Sequence, residues 1–193
     1  MLTLKKTPLL IQELAAKNKG YYSSVNIYFQ DESRFGLFTR NGRALTAKGV
    51  QPICPYQHCF ENLYLFGAFS PITGESLLLE MPFCNTDMFQ IFLNELSSQN
   101  PDEFKIMFLD NGAFHKAKRL IVPHNIALVF LPPYSPELNP AEQIWKALKT
   151  GIKNKVHKNL DQLSDALNQI IAKSISVQSV KSITGYNFYL SSF

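Results

Sequence analysis

The order of apolar and polar segments predicts an α/β protein with a central mixed five-stranded sheet and helices on both faces. Five short runs carry strand-forming residues: Val25 to Gln30, Asn62 to Ser70, Glu75 to Met81, Lys105 to Leu109 and Ile126 to Leu131. The second and third are separated only by Pro71-Ile72-Thr73-Gly74, a hairpin signal that makes them antiparallel. The fourth and fifth flank a predicted short helix, and a strand-helix-strand unit requires a parallel crossover, so the sheet is mixed.

Each element has a local reason. Pro8 to Lys19 places Leu9, Leu10, Leu14 and Ala15 near helical spacing and stops at Asn18-Lys19-Gly20. Val25, Ile27 and Phe29 alternate as a first strand. The stretch with Arg34, Gly36, Arg40, Gly42, Arg43, Lys48 and Gly49 is expected to form a hairpin or an irregular basic loop. Thr86 to Ser97 repeats Met88, Phe89, Phe92, Leu93 and Leu96 on one helical face, with Asn85 or Thr86 as its cap. Lys105 to Leu109 is nearly continuously apolar, as in a strand covered on both sides.

A short helix is expected over His115 to Leu120, and a stiff loop over Pro132-Pro133-Tyr134-Ser135-Pro136. Asn139 then stands as N-cap and Pro140 as first helical residue of a helix running to about Lys155. A last amphipathic helix covers Leu160 to about Ser174. With 193 residues and 46% hydrophobic content, one domain over residues 1–193 is expected, its core over about 25–156.

A formal charge of +4 permits an anionic partner without demanding one. No apolar run is long enough to span a bilayer and the first twenty residues lack a signal-peptide core, so a soluble cytoplasmic protein is expected. Three cysteines, Cys54, Cys59 and Cys84, argue against a disulfide framework. Cys54, His58 and Cys59 raise zinc, but a fourth ligand of recognisable spacing is missing, and the alternative is two small hydrophobic side chains in a loop.

The chemistry rests on three acids. Asp31 and Asp110 each end an apolar run, and Glu142 opens a helix. A carboxylate next to a core must be paired, hydrated or metal-bound. If the strands from Val25 and Lys105 are parallel neighbours, Asp31 and Asp110 emerge side by side at their carboxyl ends, the edge where open α/β sheets bind ligands. Adjacent carboxylates repel unless a cation lies between them, and oxygen-only ligands suit Mg²⁺ or Mn²⁺, two of which divide the labour of phosphodiester chemistry. Each acid also has a local reading: Asp31 or Asp110 as an Asx-turn residue, Glu142 as the N3 residue of a capping box. Glu142, Lys146, Lys149 and Lys153 share one helical stripe, either a phosphate-binding edge or a solvated face with a local Glu142–Lys146 pair. Trp145 and Tyr134 are either base contacts or, for Trp145, core.

The blocks FQDESRFG, PYQHCFENLYLFGAFSPITGE, MFLDNGAFHKAK and LVFLPPYSPELNPAEQIWKALK resemble the DDE endonuclease domain of the mariner-related bacterial insertion-sequence transposases, the group written IS-six-thirty, over about Ile27 to Lys155. The resemblance implies a ribonuclease H-like fold. It also implies that Asp31, Asp110 and Glu142 form a catalytic triad for two Mg²⁺ (or Mn²⁺) ions, Asp31 bridging both. Its substrates would be the DNA of transposon ends and of a target, cut by hydrolysis and joined by strand transfer. Asn111 and His115 would support the triad or contact DNA, Asn139 and Pro140 would position Glu142, and Arg34 would approach phosphates.

The same resemblance implies a homodimer in the active complex and a bacterial protein on the nucleoid when bound to DNA. Only Met1 to Ser24 precede the first strand, so the family's helix-turn-helix region is expected to be absent from this polypeptide, the DNA-binding half being encoded separately or fused by frameshifting. ALTAKGVQP also stands where the family has a tryptophan, and 31 residues separate Asp110 from Glu142, slightly fewer than in many mariner relatives. Alternatives at this stage are a catalytically silent transposase remnant that binds DNA or a full-length transposase, and a stand-alone ribonuclease H-like nuclease.

Overall fold

The computed structural model describes residues 7–39, 46–51, 53 and 55–186. Arg40, Gly42, Arg43 and Cys54, singled out above, lie outside the described residues. Five strands, β1 (Ser24–Gly36), β2 (Asn62–Phe69), β3 (Ser76–Met81), β4 (Glu103–Leu109) and β5 (Ile126–Phe130), form one sheet in the order β3-β2-β1-β4-β5. β1 pairs antiparallel with β2 and parallel with β4, β2 pairs antiparallel with β3, and β4 pairs parallel with β5. The sheet is therefore mixed, with five strands, as the element order requires.

Among the described residues five α-helices accompany it: α1 (Thr7–Asn18), α2 (Thr86–Ser98), α3 (Ala141–Ile152), α4 (Leu160–Ser174) and α5 (Val177–Thr184). The period-2 alternation of the strands separates two cores. Ile27, Phe29, Leu63, Leu65, Phe69, Ile106 and Phe108 face one side, where Ile11, Ile144, Trp145, Leu148, Leu163, Leu167 and Val180 of the helices α1, α3, α4 and α5 cover them. Tyr28, Phe66, Ala68, Met107 and Leu109 face the other, against Phe89, Phe92, Leu93 and Leu96 of α2. Asn85 caps α2, its side chain accepting from the Met88 N–H.

Several expectations are corrected. β1 does not end near Asp31: it continues to Gly36 because β2 pairs with every residue from Phe29 to Gly36, so Asp31 sits in mid-strand and the basic stretch begins inside the sheet. The helix expected over His115 to Leu120 is a single 3-10 turn, Ala113–Lys116. The helix expected to reach Lys155 stops at Ile152, where Lys153 turns to extended dihedrals and Asn154 takes a positive φ of 59°. α5 was not anticipated, and of the α1 leucines Leu9 is exposed while Ile11 is the buried anchor.

Lys105, inside the seemingly apolar strand, is fully buried. Its ammonium donates to the Asn100 carbonyl at 2.8 Å and lies 3.6 Å from Glu103. Burial lowers its pKa against the pull of Glu103. This network lies at the amino end of β4, opposite the three acids.

Gly67 stands opposite Asp31 in the β1–β2 ladder. A Cβ there would fall 2.7 Å from the tip of the Trp145 indole and from the Phe69 ring, which meet edge to face at 5.6 Å. The absent side chain is thus what lets the indole reach the sheet above Asp31. Gly67→Ala is expected to cost ~1–3 kcal/mol by overpacking, read as a lower urea midpoint with an unchanged slope; an unchanged midpoint would show that the indole does not need this gap.

Candidate active site

Strand parity puts Asp31 on the same face as Ile27 and Phe29, beneath α3. There Trp145, 1% exposed, donates its indole N–H to Asp31 Oδ2 at 3.0 Å. Trp145 is therefore core, and it also holds a carboxylate. Burial, reinforced by the charges of Glu142 and Glu32, pushes the Asp31 carboxyl up to about 8, while the Glu32 backbone and Trp145 pull the other way. Burial and the neighbouring acids thus disfavour its charged form in the metal-free protein.

Asp110 is the first residue beyond β4, with its side chain 62% exposed. Its Oδ1 accepts from the Gly112 N–H at 2.8 Å and lies 2.9 Å from His115 Nδ1, a contact too far off line for a good hydrogen bond and so mainly one of charge. The His115 contact chiefly holds this carboxyl below its ordinary value, against partial burial, with help from the Gly112 N–H and Lys116. His115 is buried, with its ring against Phe89 and Phe114, and its Nε2 lies 3.0 Å from Glu32 Oε1. Burial alone would lower its pKa, but the two flanking carboxylates raise it to about 9.

Glu142 lies in the first turn of α3. Asn139 places that turn: its Nδ2 donates to the Gln30 carbonyl at 2.8 Å, its Oδ1 accepts from the Ala141 N–H at 3.1 Å, and its carbonyl accepts from the Glu142 N–H at 3.2 Å. The Asn139 N–H is taken by the Pro136 carbonyl, so the expected capping box does not form and the Glu142 carboxylate is left to the cleft. Pro140 already has helical dihedrals, as a leading proline should.

Asp31, Asp110 and Glu142 line one cleft of about 480 Å³, walled by Asn111, Gly112, Asn139 and the prolines 132, 133 and 136. Among the described residues no three His, Cys, Asp or Glu side chains already converge as a metal cluster. Each aspartate accepts from an N–H of its own, Asp31 from Trp145 and Asp110 from Gly112. The donor set is oxygen-only, comes from three separate elements and includes a carboxyl that the Glu142 charge raises; this fits a hard divalent cation.

Arg34, Lys146, Lys149 and Lys153 line an adjoining groove of about 300 Å³ that also includes Glu142, Trp145, Lys155 and His157. Lys149 lies over the Phe35 ring at 5.8 Å. Asn111, in the cleft wall, donates to the Leu131 carbonyl and accepts from Lys116, bracing the chain after β4 against the end of β5. Tyr134 is fully exposed, at a positive φ of 57°. For the zinc reading, His58 packs among Phe38, Tyr56 and Phe60, and Cys59 reaches Glu61, which leaves no ligand set among the described residues. Sequence reasoning passed over Glu32, whose signal was its place beside Asp31 in a strand, and the indole donor, whose signal was a tryptophan one turn after Glu142.

With this geometry in place, the comparisons are direct. Residues 26–164 match the family model described as DDE superfamily endonuclease, and the chain belongs to that family. A relative from Sinorhizobium fredii (strain NBRC 101917 / NGR234), named "Uncharacterized protein y4pE/y4sA", is 37% identical over 102 residues, 52% of this chain and 76% of that protein.

The fold matches the catalytic domain of the Mos1 mariner transposase, with a TM-score of 0.61 at 14% identity over 98% of this chain and 91% of that one. It also matches the Mos1 mariner paired end complex with Mn, with a TM-score of 0.66 at 14% identity over 98% of this chain. The chain spans 61% of the length of that Mos1 chain. The architecture is the ribonuclease H-like fold of these catalytic domains.

The buried carboxyl makes a signed prediction. Because its folded pKa is raised, Asp31 costs nothing only well below its ordinary value of 3.8, where it is protonated folded or unfolded, and it destabilises the metal-free protein increasingly as pH rises from there towards about 8. Asp31→Asn is expected to raise the melting temperature in chelator at pH 9 by several degrees (roughly 4–8 °C for each kcal/mol in a small domain, less in a larger one), with a much smaller gain at pH 4, where the unfolded carboxyl is only partly ionised. An equal shift at both pH values would place the charge cost elsewhere.

Proposed function

We propose that this chain is the catalytic domain of a transposase, cutting DNA strands at element ends and joining the freed 3′-hydroxyl to target DNA. The observation that carries the reading is one cleft bounded by Asp31 of β1, Asp110 after β4 and Glu142 of α3, opening onto a groove of arginine and lysines. Mg²⁺ or Mn²⁺ is the implied cofactor; Mos1 complexes with each metal provide the precedent. Asp31 would serve two ions, with Asp110 and Glu142 each completing one. Such ions, when bound, supply a lowered pKa for the attacking oxygen and neutralise charge on the phosphate.

The protein's own part follows from the geometry. Asp31 must lose its proton before its carboxylate can coordinate, and the Trp145 N–H keeps one of its oxygens fixed while that happens. Asp110 enters with a depressed pKa and is ready as the anion. Asn139 holds the first turn of α3 to β1, which sets the height of Glu142 over the sheet. Arg34, Lys146, Lys149 and Lys153 bind backbone phosphates beside the cleft without reading sequence. Recognition of particular ends falls to a DNA-reading region outside this domain, and two copies of the domain serve the two ends.

Nicking of a supercoiled plasmid tests the reaction. Cleavage should require Mn²⁺ or Mg²⁺, and Asp110→Ala should lower it by on the order of 10³-fold, equivalent to ~4 kcal/mol of transition-state stabilisation. Metal-dependent nicking that survives Asp110→Ala would contradict the assignment; binding of metal and DNA without any cleavage would favour a silent remnant.

A further inference from the structure

The parallel ladder between β1 and β4 runs only to Phe29 and Phe108. Asp31 and Asp110 each lie two residues further on, where β1 continues against β2 while the chain after Leu109 leaves the sheet for the 3-10 turn at Ala113. The β1–β4 ladder therefore does not link the two aspartates. A side-chain path does. Glu32 follows Asp31 in β1 but projects from the opposite face, and its Oε1 lies 3.0 Å from His115 Nε2. The other ring nitrogen of His115 lies 2.9 Å from Asp110 Oδ1.

Both bridging side chains are sheltered, with 1% of His115 and 9% of Glu32 exposed, so this is not a loose surface pair. The Gln30 amide donates to the same Glu32 oxygen at 2.6 Å, and Phe89 and Phe114 fix the imidazole plane. At Gly112 an added Cβ would come within 3.0 Å of His115 Nδ1 and 3.1 Å of Asp110 Oδ1, so the turn is kept bare where they meet. We propose that Glu32 is a positioning residue which, through His115, sets the Asp110 carboxylate beside Asp31.

The same three-residue segment thus reaches both distant acids: the Gln30 carbonyl reaches Glu142 through Asn139, and Glu32 reaches Asp110 through His115. The role rests on the catalytic reading above, since it matters only if Asp110 is a ligand. Its test is separable because it reads metal affinity. Mn²⁺ binding to the full chain is measured by titration calorimetry, with the melting temperature of each variant as a check on folding.

Glu32→Ala should weaken Mn²⁺ binding about tenfold, the lower end for residues that orient a metal ligand. Glu32→Gln keeps an oxygen acceptor for the imidazole and should lose clearly less than the roughly tenfold expected when the partner is removed. His115→Gln should match Glu32→Ala, and the double variant should be no weaker than either single one, because both break one path. A folded Glu32→Ala that binds as tightly as the native chain, losses that simply add, or tighter binding on removing His115 would each overturn the positioning role. If the native chain itself binds Mn²⁺ with no dependence on Asp110, the catalytic reading falls, and this one with it.

Discussion

Carboxylates that share a cleft repel one another, and the fold around Gln30, Asp31 and Glu32 is arranged to hold three of them there. Asp31 is the centre of that arrangement. It lies in mid-strand under a helix, where water is scarce, and two further acids add to the cost of its charge. Left alone, such a group stays protonated, and the indole N–H of Trp145 compensates only in part. The site is therefore strained towards accepting a cation, since a cation removes both burial cost and repulsion at once.

Much of the surrounding architecture serves that one carboxyl. Gly67 leaves the space in β2 that lets the indole descend; Phe69 closes the other side of the ring. Asn139 ties α3 to the Gln30 carbonyl, and because the Pro136 carbonyl takes the Asn139 N–H, Glu142 is spared from capping its own helix. The mixed sheet matters for the same reason. β1 can extend past the end of its parallel partner only because an antiparallel one continues on its other edge, so Asp31 is buried while Asp110 stands at the mouth. Two acids of identical chemistry thereby acquire opposite pKa shifts, one raised and one lowered.

The sheet was legible in the sequence because alternation and the Pro71–Gly74 hairpin report directly on strand pairing. The acids were legible because carboxylates at the edge of apolar runs need an explanation. What escaped detection depends on contacts distant in the chain. Asp31-Glu32 breaks the apolar alternation, so the strand looked finished at Gln30, although pairing with β2 carries it to Gly36. Lys105 hid in an apolar run for a different reason: its carbon stem packs like a hydrophobe while its ammonium turns back to the Asn100 carbonyl just before the strand. α5 begins with a capping box made of two serines, Ser176 and Ser179, rather than the usual serine and glutamate, and its eight residues span only about two turns. The role of His115 needed Glu32, 83 residues away, to be visible at all.

The central claim is that these carboxylates converge on metal. Anomalous diffraction from crystals soaked in Mn²⁺ tests it most directly. Manganese peaks in the cleft, bonded to Asp31 and to Asp110 or Glu142, are the predicted result. Peaks only elsewhere on the surface, with none in the cleft, would contradict the account.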